Sequence, residues 1–149
     1  MINYRIALPG DEEGIHRLIV ELAVFEREPN AVIVPEEALY NHLFVEKICF
    51  SFVAVEVETD AVIGFALYYF SYSTWKGKCL YLEDIYVQEI HRKLGIGQVL
   101  FDMVVSVAKE KKVARMDWQV LNWNLSAIEF YKKNNADLSD EWLNGRYFF

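Results

Sequence analysis

Apolar residues recur at two different spacings along the chain, and these spacings predict its first elements. Tyr4–Leu8 has the pattern of a short strand that a Pro-Gly turn closes. Apolar residues at helical spacing follow from Ile15 to Phe25, with Asp11 placed to cap that helix. Pro35 precedes two glutamates and a short apolar face, which predicts a second, short helix. The chain therefore opens with a strand and two helices.

The middle of the chain has the pattern of strands. Phe50–Val57 and Val62–Tyr72 are rich in β-branched and aromatic residues and flank a short polar turn, which predicts an antiparallel hairpin. Cys79–Val87 predicts a third strand after another turn. The remaining patterns predict a strand at Met116–Leu121, a helix at Ser126–Asn134 and a terminal strand at Arg146–Phe149.

An amphipathic helix is predicted after the third strand. Apolar residues recur at helical spacing from Ile96 to Ala108, and Lys109–Lys112 gives a cationic last turn that suits the helix dipole. A loop with two glycines joins the strand to this helix. The order strand, glycine loop and helix is the setting in which a helix N-terminus binds an anion.

Composition fits one globular domain covering residues 1–149. A chain of 149 residues with 54% hydrophobic residues is long enough to build one packed core. Apolar runs long enough to cross a bilayer and a signal-peptide pattern are both missing, so we expect a cytoplasmic protein without a membrane partner.

Charge and cysteine content exclude several functions. The formal net charge of −7 argues against a nucleic-acid partner and favours a cationic small molecule. His91, Arg92 and Lys93 form a small cationic island that suits an anionic ligand at one place. Cys49 and Cys79 lie in apolar runs, so we expect two structural thiols and no metal site.

The glycine loop is a candidate phosphate site. Arg92 precedes Gly95 and Gly97, whose missing side chains would let a phosphate approach the backbone. A tight turn without function is the alternative for so short a motif. The strand before the loop and the helix after it favour phosphate binding, and the pattern of nucleoside triphosphatases is absent.

Taken with Asn124 and the Phe130-Tyr131 pair downstream, this motif resembles the GNAT superfamily of acetyltransferases. Gly64–Phe70, Tyr72–Gly77, Tyr81–Val87 and Trp123-Asn124 look like its spermidine/spermine and thialysine branch. The resemblance implies an α/β fold with a mixed, mostly antiparallel sheet of about six to seven strands and about four flanking helices. It also implies acetyl-CoA as co-substrate, a small amine as acceptor and a homodimer.

The resemblance assigns roles to individual residues. It implies that acetyl-CoA binds to Ile85, Tyr86, Val87, Arg92, Lys93, Leu94, Gly95, Ile96, Gly97, Gln98, Asn124, Ser126 and Tyr131. It implies that the amine binds to Phe25, Glu26, Glu83, Asp84, Trp118 and Glu141. Asn124 could equally be only a helix cap, and Glu26 only an exposed helix charge.

Acetyl transfer to an amine needs a proton acceptor and a proton donor. Tyr131 matches the acid of the family, and a phenol is protonated at neutral pH. Glu83 matches the carboxylate that removes the proton of the amine through water. Strand alternation would point Glu83 and Asp84 to opposite faces, so at most one would face a given cleft. Without the resemblance, Tyr131 would be read as a core aromatic.

Two positions depart from the pattern of the family. Lys93 stands where relatives have glycine, and a positive φ there would strain it. Asn135 also replaces a glycine, but asparagine tolerates a left-handed helix cap. A module that only binds acyl-CoA and an acetyltransferase for peptide or protein amines remain alternatives.

Overall fold

Five strands form one sheet in which spatial order follows chain order. The computed structural model describes all residues, Met1–Phe149. The strands are β1 Ile2–Ile6, β2 Phe50–Glu56, β3 Ala61–Ser73, β4 Gly77–Val87 and β5 Met116–Asp117. The first four pair antiparallel, and β5 pairs parallel to β4. The predicted mixed, mostly antiparallel sheet is confirmed.

The chain contains four α-helices, at the predicted places. They are α1 Glu12–Phe25, α2 Glu36–Tyr40, α3 Ile96–Glu110 and α4 Leu125–Lys133. A π-helical turn, Asn41–Val45, continues α2, and a 3₁₀ turn, Glu89–His91, follows β4. None of these helices combines the length and apolar character that a membrane crossing requires.

The core lies where α1 and α3 cover the sheet. Ile15 and Leu18 from α1 are fully buried in a cluster with Val53 and Phe65 of the two central strands. Leu100 and Val104 bury the apolar stripe of α3. The helical spacing seen in the sequence is thus the spacing of the buried side chains.

The chain divides into two compact units, Met1–Gln119 and Val120–Phe149. The first holds the sheet with α1, α2 and α3, and the second holds α4 and an irregular segment after it. The single domain expected over 1–149 stays a prediction.

The number of strands was predicted too high. Arg146–Phe149 is not a strand, so the sheet has five strands instead of about six to seven, and β5 ends at Asp117, before residues 118–121. Strand propensity describes side chains that suit a pleated surface, but a strand also needs a ladder partner. The ladder of β5 covers only Met116 and Asp117, and residues 146–149 are exposed.

The residue that precedes α1 does not cap the helix as expected. The Asp11 carboxylate accepts hydrogen bonds from Arg5 Nη1 at 2.5 Å and from the Leu8 backbone N–H at 2.7 Å. No hydrogen bond joins it to the first turn of α1. Asp11 therefore fixes the turn between β1 and α1.

Candidate active site

A β-bulge interrupts β4 at the acidic pair. Asp84 pairs with Leu67 and Leu82 pairs with Tyr68, so Glu83 is the extra residue opposite β3. A bulge breaks the strict alternation of side chains. The expectation that Glu83 and Asp84 point to opposite faces assumed regular alternation along β4. This assumption was wrong, because alternation does not hold at the bulge.

The carboxyl half of β4 has a sheet partner on one side only. The ladder between β4 and β5 is confined to Leu80 and Tyr81, whereas β3 pairs with β4 as far as Val87. Backbone groups along Ile85–Val87 on the other side thus have no ladder partner in the sheet. Such a strand edge can hydrogen-bond an extended ligand as an added strand would.

Three carboxylates predicted to hold the amine influence one another in the structure. Burial, together with the smaller effects of the charges on Glu83 and Glu26, raises the pKa of Asp84 from 3.8 to about 7. Burial also raises the pKa of Glu26, at the C-terminal end of α1. Glu83 itself is exposed. The structure therefore brings Glu26, Glu83 and Asp84 into one acidic cluster, in which Asp84 is the half-buried member.

The glycine loop fits an anionic ligand. Gly95 has φ of +79° and directly precedes the first turn of α3, whose backbone N–H groups lack partners within the helix. A Cβ on Gly95 would meet nothing within 4 Å, and one on Gly97 would lie 3.8 Å from Val87 Cγ2. Internal packing therefore does not require glycine at position 97, and the space beside it is open for a phosphate.

Arg92 faces the protein at the junction of α1 and β4. Its guanidinium carbon lies 5.1 Å from the ring centroid of Phe25 and 5.3 Å from that of Tyr86. Its Nε donates a hydrogen bond of 3.0 Å to the Val87 carbonyl. These contacts hold the end of β4 against α1 through cation–π attraction and a charge-assisted hydrogen bond. Contact with the pyrophosphate stays a prediction.

Lys93 adopts the strained conformation considered from the sequence. Its φ is +65°, in the left-handed region that a side chain disfavours by about 1 to 2 kcal/mol. Asn135 also has a positive φ, of +61°, as expected for the residue after α4. Such a backbone conformation persists only where the surrounding structure fixes it.

Replacing Lys93 with glycine should raise the free energy of unfolding by about 1 kcal/mol, because glycine removes the left-handed penalty but adds freedom to the unfolded chain. Urea denaturation measures the difference. Lys112→Gly is the matched control, since Lys112 has φ of +52° far from the loop along the chain. A stability gain at Lys112 with a loss at Lys93 would show that the Lys93 side chain contributes more than its backbone costs.

Two further predicted residues of the first unit, Trp118 and Gln98, contact side chains of α3. The Trp118 ring is half-buried and packs edge-on against Phe101, with 5.8 Å between the centroids. Gln98, in the first turn of α3, donates to Asp102 Oδ1 at 2.9 Å. Trp118 therefore has a packing role, and its contact with the amine stays a prediction.

Four predicted residues belong to the second unit. Asn124 caps α4, because its Oδ1 accepts a hydrogen bond of 3.3 Å from the Ala127 N–H. Tyr131 is buried, with its ring edge-on to Phe130 at 5.4 Å between centroids. Ser126 and Glu141 are exposed. The roles of these four residues in binding and catalysis stay predictions.

The sequence pattern did not indicate the bulge or the raised pKa of Asp84. A bulge depends on the register between β3 and β4, which the residues of one strand do not reveal. The available signal was the acidic pair inside an otherwise apolar strand, Leu80–Val87.

The sequence is similar to those of several known proteins. Residues 13–136 match the model of the Acetyltransferase (GNAT) family. The thialysine N-epsilon-acetyltransferase of Bos taurus is 40% identical over 147 residues, which cover 93% of this chain and 86% of that protein. The spermidine/spermine N(1)-acetyltransferase-like protein 1 of Homo sapiens is 35% identical over 92% of this chain and 21% of its own length.

The fold also matches solved structures. The crystal structure of an aminoglycoside acetyltransferase from an uncultured soil metagenomic sample superposes with a TM-score of 0.80 at 18% identity. The match covers 99% of this chain and 96% of that chain. At this level of identity the match concerns the fold alone.

Proposed function

Because the chain belongs to the GNAT family of acetyl-CoA-dependent N-acetyltransferases, we propose that it acetylates a primary amine of a small cationic substrate. The observation that carries this proposal is the acidic cluster that Glu26, at the end of α1, forms with Glu83 and Asp84 of the bulged strand. Several carboxylates in one cluster attract a cation and can hold its ammonium groups by charge-assisted hydrogen bonds. The relatives named for thialysine and for spermidine or spermine support an amine of this class.

Acetyl-CoA would bind along the open edge of β4 and at the start of α3. Backbone groups of Ile85–Val87 would pair with the pantetheine arm, and the first-turn N–H groups after Gly95 would bind the pyrophosphate. Positive charge on Arg92 and Lys93 would favour the same anion. In this arrangement the Val87 N–H would donate to the thioester carbonyl and stabilise the oxyanion that develops there.

The reaction would be a direct attack. The neutral amine nitrogen would form a bond to the thioester carbon as the carbon–sulfur bond breaks, and Tyr131 would donate its phenolic proton to the departing thiolate. Glu83 would first take a proton from the substrate ammonium through water, and the second proton that the nitrogen loses as the amide forms would pass to solvent. Asp84 would serve as the counter-charge beside it, with a pKa near neutral pH.

A panel of amines tests this function. Purified protein with acetyl-CoA should release CoA thiol in the presence of spermidine, putrescine or thialysine, and more slowly with a neutral peptide amine. Turnover only with peptides would assign the enzyme to protein amines. Binding of acetyl-CoA without turnover of any amine would favour a module that only binds acyl-CoA. The homodimer that the resemblance implies stays a prediction.

A further inference from the structure

A polar network joins the middle of α1 to the end of β4, outside the acidic cluster. Glu21 Oε2 accepts a hydrogen bond from the Tyr86 hydroxyl at 3.4 Å, and Glu21 Oε1 accepts one from Gln88 Nε2 at 3.3 Å. Arg17 Nη1 lies 3.5 Å from Glu21 Oε1. One carboxylate of α1 thus contacts Tyr86 near the end of β4 and Gln88 just beyond that strand.

Val87 lies between these two residues. Its carbonyl accepts the hydrogen bond from Arg92 Nε at 3.0 Å, and the neighbouring Gln88 N–H donates to the Ile63 carbonyl at 2.9 Å. No ladder with β5 supports this end of β4. The direction of the Val87 N–H therefore depends on β3 and on the contacts that Glu21 and Arg92 make.

The ion pair with Arg17 is not the main interaction of Glu21. Arg17 and Glu21 are 46% and 33% exposed, and a pair with the cation four residues before the anion contributes only about 0.3 to 0.5 kcal/mol. Arg17 is also held separately, because its Nη2 donates to the Val62 carbonyl at 2.8 Å. The bonds of Glu21 to Tyr86 and Gln88 are the ones that link two elements.

We propose that Glu21 is a positioning residue, which fixes the direction of the Val87 N–H toward the thioester carbonyl. The inference rests on the proposed function, because it assigns that N–H to the acetyl group. Phe25 and Glu26 follow Glu21 on the next turn of α1, so the same helix that contacts the amine also aligns the acetyl donor.

Glu21→Gln tests this role, because an amide can accept from Tyr86 or from Gln88 but offers the other partner a second donor. We expect kcat to fall about tenfold, a part of the 10²- to 10³-fold that loss of an oxyanion donor costs. The KM for the amine should change little. Calorimetry should show that the wild-type preference for acetyl-CoA over CoA shrinks, because CoA lacks the carbonyl that Val87 would bond.

Two variants make the test specific. Glu13→Gln is the matched control, since it removes an exposed carboxylate from the same helix, and it should leave kcat and the acetyl-CoA preference unchanged. The double variant Glu21→Gln with Gln88→Glu exchanges the amide donor and the carboxylate acceptor of their hydrogen bond. It should restore kcat and the acetyl-CoA preference. Tyr86→Phe replaces Glu21→Gln in the test if that variant fails to fold. It removes only the hydroxyl that donates to Glu21, and it should lower kcat and the preference for acetyl-CoA over CoA.

The outcomes separate the inference from the proposed function. If the wild type is active and Glu21→Gln has the same kcat and the same acetyl-CoA preference, the role of Glu21 is overturned and the proposed function stands. A wild type that acetylates no amine would overturn the function. In that case, an unchanged ratio of acetyl-CoA to CoA affinity in Glu21→Gln would also overturn the inference.

Discussion

Replacing Tyr131 with phenylalanine should lower kcat for every accepted amine by about 10²- to 10⁴-fold, the range of general acid catalysis. The substitution removes the proton donor for the thiolate but keeps the buried ring and its edge-on contact with Phe130. Folding and affinity for acetyl-CoA should therefore change little. Stopped-flow thiol release measures the turnover, and calorimetry measures the affinity.

Tyr147→Phe is the matched control for the loss of a phenol. Tyr147 lies in the same unit as Tyr131 and is 85% exposed, so its hydroxyl should not affect turnover. A kcat of Tyr131→Phe close to that of the wild type would show that another group protonates the leaving thiolate. Equal losses in both variants would indicate a general effect of the second unit instead of acid catalysis.

Asp84→Asn should remove an ionisation near pH 7 from the pH dependence of kcat/KM for the amine. In the wild type this quantity should rise through pH 7, because Asp84 must lose its proton to act as counter-charge for the amine. We expect a loss of about 10²-fold at pH 8 in the variant. An inflection near pH 7 that persists in Asp84→Asn would assign it to another group.

Glu83→Gln should behave differently if Glu83 removes the proton of the amine. Its rate should fall at neutral pH by about 10²-fold and recover partly at higher pH, where more of the amine is already neutral. A loss that is the same at all pH values would mean that Glu83 only positions the substrate. The pair of profiles thus distinguishes the two neighbouring carboxylates.

The raised pKa of Asp84 also affects stability. Between pH 4 and pH 7 the folded protein keeps a proton on Asp84 that the unfolded chain has lost. The contribution of this group to the free energy of unfolding is therefore fully present below pH 3.8 and is lost as the pH rises through about 7. The shift corresponds to as much as about 4 kcal/mol. Asp84→Asn should therefore be more stable than the wild type at pH 8 and similar at pH 4. Thermal denaturation at both pH values measures this difference.

The elements that could be predicted from the sequence are those whose apolar spacing is also their buried face. α3 is an example, since Leu100 and Val104 bury the stripe that predicted the helix. The strand at residues 146–149 was wrong because aromatic residues indicate strand propensity but not the presence of a partner strand. Pairing is a tertiary property that local pattern does not contain.

The candidate site could be predicted in part for the same reason. The glycine loop and the acidic pair are local features. The positive φ of Lys93 was considered because relatives have glycine at this position, and the structure shows it. The bulge at Glu83 and the raised pKa of Asp84 depend on the register with β3 and on Glu26 from α1. These contacts join residues far apart in the chain and required the structure.

Mass spectrometry of the reaction product shows directly whether the protein acetylates a small amine. The purified protein should be incubated with acetyl-CoA carrying an isotopically labelled acetyl group and with spermidine or thialysine. A labelled acetyl group should appear in an amide on a primary amine of the substrate, with one CoA released for each acetyl group transferred. CoA release with no label on the amine, or label found only on the protein itself, would contradict the proposed function.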